Sequence, residues 1–67
     1  MKIGDRVSWD SPQGRTHGTI VDHKTKDFQL DGRQWRASED EPKFVVESEK
    51  TGAKAAHEPS ALRALKN

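Results

Sequence analysis

Residues 7–21 read VSWDSPQGRTHGTIV, and the fold turns on how they are read. Val7 and Trp9 alternate with Ser8, as the covered face of a strand does. Thr16, Ile20 and Val21 supply the β-branched residues of a second run. Between them the chain has turn chemistry. Asp10 and Ser11 can bond nearby backbone, Pro12 fixes φ, and Gly14 accepts positive φ. The stretch therefore reads as two strands and a reversal. Gln13 and Arg15 have no such structural duty, so their side chains are free to meet a partner. Gly18, inside the second strand, marks a bulge or a close approach of another backbone.

Working outward, DRVSW (5–9) places Asp5, Val7 and Trp9 on one face. The second strand spans 15–23. A third strand region, 27–37, contains FQLDGRQW (28–35), where Asp31-Gly32 suits a two-residue turn with positive φ at both positions. That turn sets Leu30 opposite Arg33 and Phe28 opposite Trp35. Ser38 precedes Glu39-Asp40-Glu41 and can cap a single turn there. KFVVES (43–48) reads as a strand, EKTG as a turn, and 53–57 as the returning arm. EPSALRALKN (58–67) changes period: Pro59 followed by Ala61, Leu62, Ala64 and Leu65 predicts a short helix over 59–65. The expected architecture is one mainly-β domain over 1–67, a small five-stranded barrel of strongly bent strands with a C-terminal helix.

At 67 residues the core is small, and a chain of this length buries only about 60% of its unfolded surface. Charged residues (34%) outnumber hydrophobic ones (30%), yet the apolar residues cluster between turns, which favours a folded domain over disorder. The cluster is Val7, Trp9, Ile20, Val21, Phe28, Leu30, Trp35, Phe44, Val45, Val46, Leu62 and Leu65. The lack of cysteine excludes a disulfide scaffold and a thiolate metal site. No run approaches the roughly 20 apolar residues of a membrane helix. Residues 1–5 lack a signal-peptide core, so a cytoplasmic location is expected. The net charge of +1 is too small to mark a dedicated phosphate-backbone binder, although residues 1–38 carry seven Lys/Arg against five Asp/Glu.

GDRVSW, GRTHGTIV and ASEDEPKFVVESEKTGAKAAHEPSAL, in that order, resemble the hypervirulence-associated protein Tudor-domain family. The most distinctive part is ASEDEP, an aromatic, VES-KTG and A-H-P--L. The resemblance runs from Gly4 to about Leu65. It implies an SH3-like, Tudor-type barrel, in a family of short bacterial and fungal proteins whose molecular function is not established. His57 is expected to satisfy a hydrogen bond beside Pro59, and because it is matched in that pattern a structural role is expected of it. Fold alone assigns no function.

Candidate binding residues are Trp9, Gln13, Arg15, Arg33, Trp35 and Arg36. A methyl-lysine cage needs several open ring faces. The chain has only Trp9, Phe28, Trp35 and Phe44, and a barrel this small needs most of them inside. Trp35 between Arg33 and Arg36, with Arg6, Arg15, Lys24 and Lys26, makes a possible nucleic-acid face. The bland alternative is a solvated strand face balanced by Asp22, Asp27 and Asp31. His17, His23 and His57 lack metal-ligand spacing. Glu39-Asp40-Glu41 reads as a solvated loop, and no nucleophile elbow, phosphate loop or cofactor motif is present. The sequence thus predicts a non-enzymatic, cofactor-free binding module for a protein or peptide, monomeric or weakly dimeric and without membrane contact. A nucleic-acid-binding barrel and a self-associating structural protein are the alternatives.

Overall fold

The structure, a computed structural model, describes residues 1–65. Among the described residues seven strands run in chain order: β1 (Arg6–Ser11), β2 (Gly14–Lys24), β3 (Phe28–Leu30), β4 (Arg33–Trp35), β5 (Lys43–Ser48), β6 (Lys54–His57) and β7 (Arg63–Ala64). Five of them form one antiparallel sheet in the order β6-β5-β2-β1-β7, while β3 and β4 make a separate hairpin.

The first reversal is set by local chemistry. β1 and β2 pair from Arg6↔Thr19 to Ser11↔Gly14 around Pro12 and Gln13. Gly14 lies at φ +113°, a backbone conformation that favours glycine, where the reversal rejoins β2. Ser11 Oγ donates to the Gly14 carbonyl at 2.8 Å and lies 2.9 Å from Thr16 Oγ1. In the second hairpin Asp31 (φ +52°) and Gly32 (φ +74°) form the turn, with Phe28 opposite Trp35 and Leu30 opposite Arg33, the register their spacing predicts. Ser38 nucleates no helical turn. It instead closes a bend, its Oγ accepting from the Glu41 N–H at 3.0 Å and its own N–H donating to the Glu41 carbonyl at 3.1 Å.

Two expectations are corrected. The sheet does not close into a barrel: β6 and β7 are its two edges, and the 27–37 region stands outside it as the β3–β4 hairpin. The predicted 59–65 helix is a single 3-10 turn, Pro59–Ala61, without a side-chain cap. So short an uncapped segment gains little as a helix. As a strand, 63–64 covers the open edge of β1 at the buried residues Val7 and Ser8, and Leu65 N–H adds a bond to the Arg6 carbonyl at 2.9 Å. Leu62 still reaches the core, whereas Leu65 is only half-buried. The last two residues of the 58–67 stretch lie outside the described residues.

One face of the sheet carries the core of Val7, Trp9, Ile20, Phe44, Val46 and Leu62, with Ala55 packed against it. Val45 and Ala56 are buried as neighbours in the β5–β6 ladder. Phe28, Leu30 and Trp35, expected in the main core, are half-buried on the hairpin instead. Val21 falls where the β2–β5 register shifts between Ile20 and Asp22, and this bulge turns it outward to 37% exposure. Gly18 meets the second of the two meanings its position allowed, a close approach: Glu47 backbone and the Trp9 ring occupy the space a Cβ would need.

Candidate functional site

β2 serves two neighbours in turn. β1 lies along Gly14–Thr19, but the β5 register begins only at Gly18↔Ser48. Beyond that, a single bond from Glu49 N–H to the His17 carbonyl (3.0 Å) ends the contact as the chain turns away. Backbone direction alternates along a strand. Ile20 exchanges bonds with Gly4 and Asp5, so even-numbered residues of this part of β2 address β1, and odd-numbered residues such as His17 address β5. Arg15 is the next odd residue. Its N–H and C=O therefore point to the side where no strand lies.

A concavity of about 460 Å³ occupies this notch. One wall is the β1–β2 reversal with Gln13, Arg15 and Thr16. The other is the Ser48–Lys54 turn, and Trp9 lies at the floor. The turn is held by its own side chains: Ser48 Oγ accepts from the N–H groups of Lys50 (3.2 Å) and Thr51 (3.4 Å), and Thr51 Oγ1 from Ala53 N–H (3.2 Å). Gly52 completes it at φ +75°.

The six sequence-predicted residues divide between two places. Trp9, Gln13 and Arg15 line the notch, whereas Arg33, Trp35 and Arg36 belong to the β3–β4 hairpin and its flank. Trp9 is 5% exposed, a core residue whose edge alone borders the notch. Gln13 is exposed. Arg15 is less free than expected, pairing with Asp10 directly across the ladder at 2.7 Å. Lys50 and Lys54 were missed in the sequence. They sit in the half of the chain with an acidic surplus, and only the KTG turn signal hinted that lysines there would project together.

The hairpin rings are covered rather than open. Phe28 and Trp35 stack on each other with centroids 6.5 Å apart and planes 12° apart. The Arg33 guanidinium lies 5.0 Å from the Trp35 centroid and Lys24 Nζ 5.8 Å from that of Phe28. A methylated ligand or a nucleobase would have to displace these internal cations. The second concavity, about 320 Å³, mixes Arg36 and Lys43 with Asp27 and Glu41, so its charges cancel.

The histidines do not converge, and among the described residues no three His, Cys, Asp or Glu side chains come together to hold a metal. The bulge at Val21 breaks the strand parity that would have put His17 and His23 on one face, and His23 stacks on Phe44 at 4.8 Å. His57 lacks the hydrogen bond expected of it. Its Nε2 is buried without a partner and its ring lies 5.5 Å from Trp9. Burial holds its pKa below the usual 6.5. The stability it contributes is full above 6.5 and is lost as pH falls through the lowered folded value. Asp22 is also lowered, by its hydrogen bond from Lys24 and then by the His23 N–H, but its window lies below the ordinary carboxylate value of 3.8. The His57 effect therefore sets in below pH 6.5, above the window of Asp22. His57→Phe should flatten the fall in melting temperature over that range. An unchanged fall would remove His57 as its cause.

The molecule is thus a mainly-β domain with an open notch between two turns and no helix, among the described residues, long and apolar enough to cross a membrane. The chain belongs to the family of the hypervirulence associated proteins Tudor domain, whose model matches residues 4–62. No curated protein and no solved structure matches it.

Proposed function

We propose that this domain is a non-enzymatic, cytoplasmic binding module that takes an extended protein segment into the notch, laying it beside the free edge of β2. The observation that carries this reading is that β2 outruns β5, leaving the Arg15 backbone without a neighbouring strand. A peptide strand added there gains main-chain hydrogen bonds, and side-chain contacts in the notch select its sequence. Membership of a Tudor-type family supports a binding role, and the absence of cysteine supports the location. The nucleic-acid alternative is less well served, because Arg15, Lys24 and Arg33 are engaged with Asp10, Asp22 and Trp35.

The test is selection from a short random peptide library displayed on phage, followed by amide chemical-shift mapping of the enriched peptides. The shifts should centre on residues 13–17 and 48–55. Peptides that instead move residues 28–36, or a selection that enriches nothing, would contradict the assignment.

A further inference from the structure

We infer that the segment accepted by the notch is acidic, with carboxylates at alternate positions reaching Lys50 and Lys54; this rests on the notch being the binding face. The charged residues lining the notch are Arg15, Glu49, Lys50 and Lys54. Two of them are already neutralised. Glu49 takes three hydrogen bonds from the Arg6 guanidinium at 2.8–3.1 Å, and Arg15 holds Asp10 at 2.7 Å. Lys50 and Lys54 are exposed and have no ion pair among the described residues. Glu47 stands opposite Lys54 in the ladder, yet no ion pair joins them. The net result is a notch with two uncompensated positive charges.

The turn makes these charges a fixed feature. Ser48 Oγ holds the N–H groups of Lys50 and Thr51, and Gly52 N–H returns to the Ser48 carbonyl at 2.9 Å. Both lysines therefore rise from the arms of one braced turn. An extended peptide presents every second side chain to the same face. Alternating Asp or Glu would face the lysines while the peptide backbone meets Arg15. A nucleic acid fits less well. Its backbone cannot complete a strand edge, and the buried tryptophan at the floor offers a base only its edge, leaving His17 as the one exposed ring of the lining.

The experiment uses three fluorescent probes on the full chain: a peptide of alternating Thr and Glu, its Thr–Gln counterpart, and an oligothymidylate. Binding is read by anisotropy at low and physiological salt, and the site by amide shifts. The Thr–Glu peptide should move residues 13–17 and 48–55 and bind roughly tenfold tighter than Thr–Gln, a difference of about 1.4 kcal/mol. The margin should shrink with salt. Lys50→Gln with Lys54→Gln should erase it while leaving the thermal melt unchanged, since both side chains are exposed. Equal binding of Thr–Gln at the same amides would overturn the charge preference and leave the notch standing. Failure of both peptides to move those amides would overturn the notch as well. Tighter oligothymidylate binding through the same lysines would overturn the inference in favour of nucleic acid. If those amides instead shift with protein concentration alone, the acidic run Glu39-Asp40-Glu41 of a second copy is the occupant, and the inference of a partner segment fails.

Discussion

Gly18→Ala should abolish cooperative folding. An added Cβ would sit deep inside the van der Waals shell of the Glu47 carbonyl oxygen, 2.9 Å from its carbonyl carbon and 2.6 Å from Cη2 of Trp9. The Trp9 ring is locked in the core, and the Glu47 backbone belongs to the β2–β5 ladder through Thr19↔Glu47 and Gly18↔Ser48. Neither can withdraw without breaking the contacts that define the sheet. Overpacking against flexible side chains costs about 1–3 kcal/mol, and a clash with backbone exceeds that range. A domain of this length has only roughly 3–10 kcal/mol to lose. Gly14→Ala is the control: it meets no atom within 4 Å, so only its positive φ is penalised, about 1–2 kcal/mol. Urea unfolding should show a shifted midpoint for Gly14→Ala and no cooperative transition for Gly18→Ala. A Gly18→Ala midpoint equal to that of Gly14→Ala would mean that β2 and β5 do not approach as described.

Trp9→Ala should lose about 3–5 kcal/mol, the usual cost of emptying a large aromatic site. Trp9 packs with Val7, Ile20, Phe44, Val46 and Leu62, and its ring supports both His57 and the Gly18 crossing. In a core of so few large side chains, no neighbour is big enough to fill the space. At the stability of a small domain this leaves a large unfolded fraction in water. Trp9→Phe retains part of the contact and should lose less. Because Trp35 is the other tryptophan, its fluorescence still reports unfolding of the variant. A loss below about 1 kcal/mol would show that Trp9 does not close the core.

These two residues show what is legible in a sequence. Trp9 alternates with polar neighbours beside a turn, and Gly18 interrupts a β-branched run, so local pattern points to a core face at the one and to a bulge or a tight crossing at the other. The Asp31-Gly32 hairpin is equally local, because its φ values follow from the residue types. The failures come from competition between distant parts. Residues 59–65 have a helical stripe, but the exposed edge of β1 offers backbone bonds that a short helix cannot match. Closure of the sheet depends on how far β6 and β7 extend, and no local signal sets that.

The candidate site was half legible for the same reason. Gln13 and Arg15 stand out because the surrounding turn chemistry leaves them without a structural duty. Lys50 and Lys54 do not, since the charge asymmetry along the chain pointed to residues 1–38. The notch exists because β5 ends at Ser48, opposite Gly18, while β2 reaches back to Gly14, a relation between residues thirty positions apart in sequence. Arg33, Trp35 and Arg36 read as candidates from their composition, and the structure places them on the β3–β4 hairpin and its flank, where Trp35 stacks on Phe28 beside the Arg33 guanidinium.

The most direct test of the notch is hydrogen exchange at the Arg15 amide, with and without a peptide selected for binding. The free protein leaves this N–H without a strand beside it, so it should exchange quickly. A segment added to the edge of β2 should slow it markedly while leaving the Arg33–Arg36 amides unchanged. Unaltered exchange at Arg15, with protection appearing on the β3–β4 hairpin, would place the ligand on that hairpin and contradict the account.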